Sequence, residues 1–160
     1  MEKVTKDIEK KFYKKFDLNN FISNLDFKEN FWFKEEYYVY VLDWYNQKIP
    51  LDSKLKAFNS FFDEFKLEIF VGEFPLKSGE KLESINSMDF FMDKKYTHFY
   101  QFTSFIIFYS TFDKFMIFDV DDEFVFACSK KKIVDFTFDH VNTLINHGKY
   151  IDLIKGYRSN

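Results

Sequence analysis

Between Phe99 and Cys128, three runs rich in aromatic and β-branched residues are separated by only two short polar breaks. The runs are Phe99 to Tyr109, Phe115 to Phe118 and Glu123 to Cys128. The breaks are Asp113-Lys114 and Asp119 to Asp122. Breaks this short leave no room for a crossover, so each strand must turn back on its neighbour, giving an antiparallel meander. Ile133 to Phe136 is the right length for a fourth, short strand. A sheet of such apolar runs needs covering, and the rest of the chain has to supply the cover.

Two segments have the period of amphipathic helices. Val4, Ile8, Phe12 and Phe16 recur every four residues with Lys, Glu and Asp between them, which predicts about four turns of helix. After Pro50, with Asp52 or Ser53 as N-cap, Leu55, Phe58, Phe61 or Phe62, and Phe65 follow at helical spacing. Tyr37 to Leu42 is uncharged and rich in aromatic and β-branched residues, so it reads as a buried strand. A helix is the alternative there, because Phe33, Tyr37, Tyr40 and Trp44 also fit one helical face. Leu67 to Phe74 reads as a short strand, and Pro75 to Met88 as a loop. Past the meander, Asp135 or Thr137 is placed to cap a helix carrying Phe138, Val141, Leu144 and Ile145, with Gly148 as its C-cap. The expected fold is α+β: a central, mostly antiparallel sheet with a C-terminal meander and amphipathic helices packed against it. At 160 residues the expectation is one domain over 1–160.

Composition narrows the functional classes. Of the 160 residues 23% are aromatic and 25 are Phe, far too many for a disordered chain. Phe, Lys, Asn, Ile and Tyr use A/T-rich codons, so the excess reads first as genome composition plus core. Net charge is −3, and of the 23 cationic side chains only Arg158 is arginine. A chain-wide field attracting nucleic acid is therefore not expected, nor is base reading, which leans on arginine. One cysteine, Cys128, cannot form an internal disulfide and suits a reducing compartment. With no signal-like apolar segment and no membrane-length run, the expected location is cytoplasmic.

No catalytic or metal motif emerges, so no catalytic residue, metal or cofactor is expected. His98, His140 and His147 lack metal-ligand spacing, although His140 and His147 would share one helix. Cys128 ends an apolar strand and reads as a buried, inert thiol. Four glycines build no phosphate-cradling loop. The basic face of the first helix (Lys6, Lys10, Lys11, Lys14, Lys15) invites a nucleic-acid or membrane reading, but it is interspersed with Glu2, Asp7, Glu9 and Asp17 and reads as solvated. Lys130-Lys131-Lys132 reads as a solubilising run, with phosphate contact as its alternative. The acids Asp119, Asp121, Asp122 and Glu123, with Asp113 nearby, lack the Gly and the spacing of a calcium loop. They read as a solvated turn or, functionally, as a patch that steers a basic partner.

The stretch from about Phe105 to His147 resembles the SUKH superfamily of immunity proteins. An apolar strand (Ile107-Phe108) leads to a Phe-rich strand (Phe115 to Phe118), an acidic turn at Asp119, a further strand (Val125-Phe126) and a helix opened by an aromatic residue (Phe136 to Leu144). The small, acidic, aromatic-rich chain is also similar to immunity proteins of contact-dependent growth inhibition. The resemblance implies a non-catalytic protein that binds a cognate toxin C-terminal domain, a nuclease being one such domain, and blocks its active site. Asp113, Asp119, Asp121, Asp122 and Glu123 are then the partner-binding residues. Neither nucleic acid nor membrane is an expected partner. The competing readings are a small enzyme with a diffuse site around His98, His140 and the acidic turn, and a structural or adaptor domain of a mobile element.

Overall fold

Phe105 to Tyr109, Phe115 to Asp119 and Val125 to Ser129 are buried at every position. Alternate residues of a strand face opposite sides, so unbroken burial requires both faces of the sheet to be covered. A computed structural model describes residues 2–18, 31–33, 37–42, 44–45, 47–64, 67–74, 82–85, 104–120, 123–133 and 144–146. In chain order its elements are α1 (Glu2–Lys15), β1 (Phe16–Leu18), β2 (Phe31–Phe33), β3 (Tyr38–Leu42), α2 (Leu51–Phe61), β4 (Ile69–Glu73), β5 (Glu83–Ile85), β6 (Phe105–Tyr109), β7 (Lys114–Asp119), β8 (Phe124–Ser129) and β9 (Leu144–Asn146). The fold is α+β. Seven strands form one sheet in the order β5-β4-β6-β7-β8-β3-β9, every neighbouring pair antiparallel, and β1 pairs with β2 separately.

The register sorts the side chains into two layers. Phe108 pairs with Phe115, and Phe115 with Cys128, on the face covered by Ile8 and Phe12 of α1. Ile107 pairs with Met116, and Met116 with Ala127, on the face covered by Ala57, Phe58 and Phe61 of α2. Aromatic rings interlock within each layer. Phe105 stacks on Phe118 at 4.4 Å, and Trp44 meets Phe118 edge-on at 5.3 Å. On the other face Phe108 stacks on Phe112 at 4.6 Å, with Phe12 tilted against Phe112 at 5.9 Å.

Helix α2 starts from Pro50, whose extended backbone (φ −60°, ψ 146°) lets its carbonyl accept from the Ser53 and Lys54 amides. The expected cap by Asp52 or Ser53 is therefore corrected. Asp52 lies in the first turn, where its charge suits the positive end of the helix. At the far end the Lys114 ammonium donates to the Phe61 carbonyl at 3.0 Å and to Asp63 Oδ1 at 3.1 Å. The Glu64 amide donates to the Tyr109 hydroxyl at 3.0 Å. The sheet thus supplies both a cation and an acceptor where the helix ends.

Other expectations are corrected. Phe16 leaves α1 to open β1. Glu83–Ile85 is a strand within the expected Pro75 to Met88 loop, with Ile85 opposite Ile69. The expected helix over Thr137 to His147 is broken by β9: Leu144 and Ile145 pair with Tyr40 and Val39. The unpaired outer edge of β3 offers these residues backbone partners that their helical spacing does not register. His140 and His147, expected on that helix, lie outside the described residues. Residues 134–143, including most of the expected fourth strand and the start of the expected helix, lie outside the described residues, as does Phe65.

Phe118→Ala should lower unfolding stability by about 3–5 kcal/mol, because it removes a ring held by two others in a closed layer. Lys114→Met should cost only about 1 kcal/mol, the value of a cation at a helix end. Urea midpoints at constant slope measure both, and equal losses would refute the assignment of Lys114 as a cap.

Candidate functional site

With both faces covered, the polar chemistry of this sheet collects at its two ends. The β6–β7 and β8 exits make one end, and the β7–β8 turn makes the other. Asp113 lies in the first and Asp119 closes β7 at the second. Six residues of strand separate them, about 20 Å. The sequence grouping of Asp113 with the other four acids is thus divided in space. Asp113 shares its end with Lys114, Lys130, Lys131 and Lys132, and its carbonyl accepts from the Lys130 amide at 2.9 Å.

At the acidic end the residues differ in access. Asp119 is wholly buried. By alternation with Phe115 and Ile117 it belongs to the face covered by α1. The Val120 amide donates to Ser104 Oγ at 3.2 Å, which ties the turn to the start of β6. Glu123 is exposed and left-handed (φ 61°). Asp121 and Asp122 lie outside the described residues. Of the described acids in the acidic turn, Glu123 is thus the one presented to solvent.

Two aromatic residues that the sequence reading did not assign to the site adjoin this turn. Trp44 is buried on Phe118, and Tyr45 is half-buried beside it. The Tyr45 hydroxyl is buried with no hydrogen-bond partner among the described residues. Burial above all, and then the charges of Asp119 and Glu123, push this phenol far above its ordinary value. The useful sequence signal was the Trp-Tyr pair directly after an apolar strand, where the chain must leave the sheet at one of its ends.

The other candidates contribute little. Burial pushes the Cys128 thiol well up, which disfavours the nucleophilic thiolate. His98, His140 and His147 lie outside the described residues, and among the described residues no three His, Cys, Asp or Glu side chains gather as a metal site. No described helix is long and apolar enough to cross a membrane. No family model matches the sequence, and no curated protein or solved structure matches it.

The Tyr45 phenol gives a signed prediction. Its raised value means that above pH ~10 the unfolded chain loses a proton that the folded chain keeps, so this contribution to stability is present below that pH and lost as pH rises. Tyr45→Phe should be as stable as the parent at neutral pH, since it deletes a buried donor with no described acceptor. It should also flatten the alkaline fall in stability. Urea titrations at neutral pH and above pH ~10 test this, and an unchanged alkaline slope would count against it.

Proposed function

We propose that this protein binds a cognate bacterial toxin domain and neutralises it by blocking its active site, as an immunity protein does. The observation that carries the reading is Glu123. A side chain other than glycine in the left-handed region costs about 1–2 kcal/mol, and turns of this kind favour Gly or Asn there. Phe112, the other such residue, offsets that cost by burying a ring stacked on Phe108, with its carbonyl accepting from Tyr37. Glu123 is exposed and buries nothing comparable. A carboxylate kept where glycine would sit more easily is what a binding surface calls for.

The acidic turn then meets the basic cleft of the toxin, with a nuclease as the natural target because its cleft must hold phosphate. Glu123, Asp121 and Asp122 are the contacts. Asp113, about 20 Å away on a different end of the sheet, is outside this contact, and Asp119 is buried beneath the surface that makes it. The inhibitor needs no cofactor, and it works by occupying a surface.

The test pairs this chain with the C-terminal domain encoded immediately upstream of it. Co-expression should restore growth that the domain alone abolishes, and the two should co-purify. Glu123→Gly should then raise stability by about 0.5 kcal/mol while weakening toxin binding by tenfold or more. Asp113→Lys should leave binding within a factor of about two. Loss of rescue in Asp113→Lys with full rescue in Glu123→Gly would move the contact to the other end, and a harmless upstream domain would remove the reading altogether.

A further inference from the structure

Two lysine groups that are far apart in sequence are brought to one end of the fold. Phe12 in the third turn of α1 lies 5.9 Å from the Phe112 ring. The Phe112 carbonyl accepts from the Tyr37 hydroxyl at 3.0 Å, and the Lys130 ammonium sits 4.5 Å over the Tyr37 ring. The end of α1 and the exit of β8 are therefore linked through Phe112 and Tyr37. Around Phe12, Lys10, Lys11 and Lys14 are exposed and Lys15 is half-buried. Beyond Lys130, Lys131 and Lys132 are exposed. Among the described residues past the strand ends, the acids here are Asp113, and Asp63 and Glu64 beyond the α2 C-terminus, where Asp63 is engaged by Lys114. On the α1 side the described acids are Glu2, Asp7 and Glu9, at least one turn further from the β8 exit than Lys14, and Asp17 of β1, three residues past Lys14 and outnumbered there by Lys10, Lys11, Lys14 and Lys15.

We propose that the last turns of α1 and Lys130 to Lys132 form one cationic face that binds the phosphate backbone of a nucleic acid without reading its sequence. A net charge of −3 hides such a face, because that figure averages the two ends of the sheet. Lysine is a strongly hydrated point charge that suits phosphate oxygens, and its gain on binding comes from counterion release rather than from a shaped pocket. With lysines alone the face carries none of the arginine forks that read base edges. A lipid surface fits less well. Attachment by lysines alone gains about 1 kcal/mol each and is strengthened by an inserted apolar side chain, but the large exposed hydrophobic residue among those described, Leu51, starts α2 at the opposite end. This inference does not rest on the toxin-binding reading, which uses the acidic end.

The experiment measures anisotropy of two labelled DNA duplexes of equal length and unrelated sequence, titrated with the full chain over a series of salt concentrations. Equal affinity for both duplexes and a linear fall of log K with log salt are expected. Two variants, Lys11→Gln with Lys14→Gln and Lys131→Gln with Lys132→Gln, should each reduce the salt slope by about two, and the four-residue variant should lose binding. Their thermal melts should match the parent, since all four side chains are exposed. No binding at low salt would overturn the proposal, as would a slope that only one segment alters. Binding to vesicles of equal parts phosphatidylcholine and phosphatidylglycerol without binding to either duplex would overturn it in favour of a membrane surface.

Discussion

The structure depends on burying one sheet from both sides. Once β6, β7 and β8 are apolar at successive positions, neither face can be left to water, and the helices on either side follow as a requirement. The aromatic content fits this need. Each ring supplies a large apolar area, and the edge-on and stacked contacts of Phe118, Phe105, Phe108 and Phe112 lock the layers. Among the described residues, charge is excluded from the middle of the sheet and gathers where strands turn. Among the described residues, the surface left for function is then the ends of the sheet and the outer faces of its helices.

The meander was legible because its polar breaks are short and its runs are long. α1, β3 and α2 were legible from period and β-branching. β5 and β9 were not, because three residues are too few to establish a period, and their state is decided by an edge that needs backbone partners. The site was legible only as composition. A cluster of acids in sequence cannot show that Asp119 turns inward while Glu123 turns outward, since one position decides the face of a strand. Nor can sequence proximity show that Asp113, six residues from Asp119 along a strand, sits at the other end of the sheet.

The two left-handed residues display the same backbone device used in two ways. At Phe112 the turn between β6 and β7 aims a ring back into the layer under α1, joining α1, β3 and the meander at one point. At Glu123 the corresponding turn aims a carboxylate out. Both hairpins need a positive φ near this position to match the twist of their strands, and the residue occupying it decides whether the turn serves packing or recognition.

The place of β3 has a consequence for how the chain is made. Tyr40 pairs with Ala127, so a strand near the start of the chain waits for a partner synthesised long after it. At ribosomal rates of roughly 5–20 residues per second, the wait lasts on the order of seconds. During it the run Tyr38 to Leu42 has an apolar side chain at every position and two open edges, the form most prone to pair with a stranger. The last native pairings are thus non-local, which slows folding and puts a premium on chaperones that shield this segment until the meander arrives to receive it.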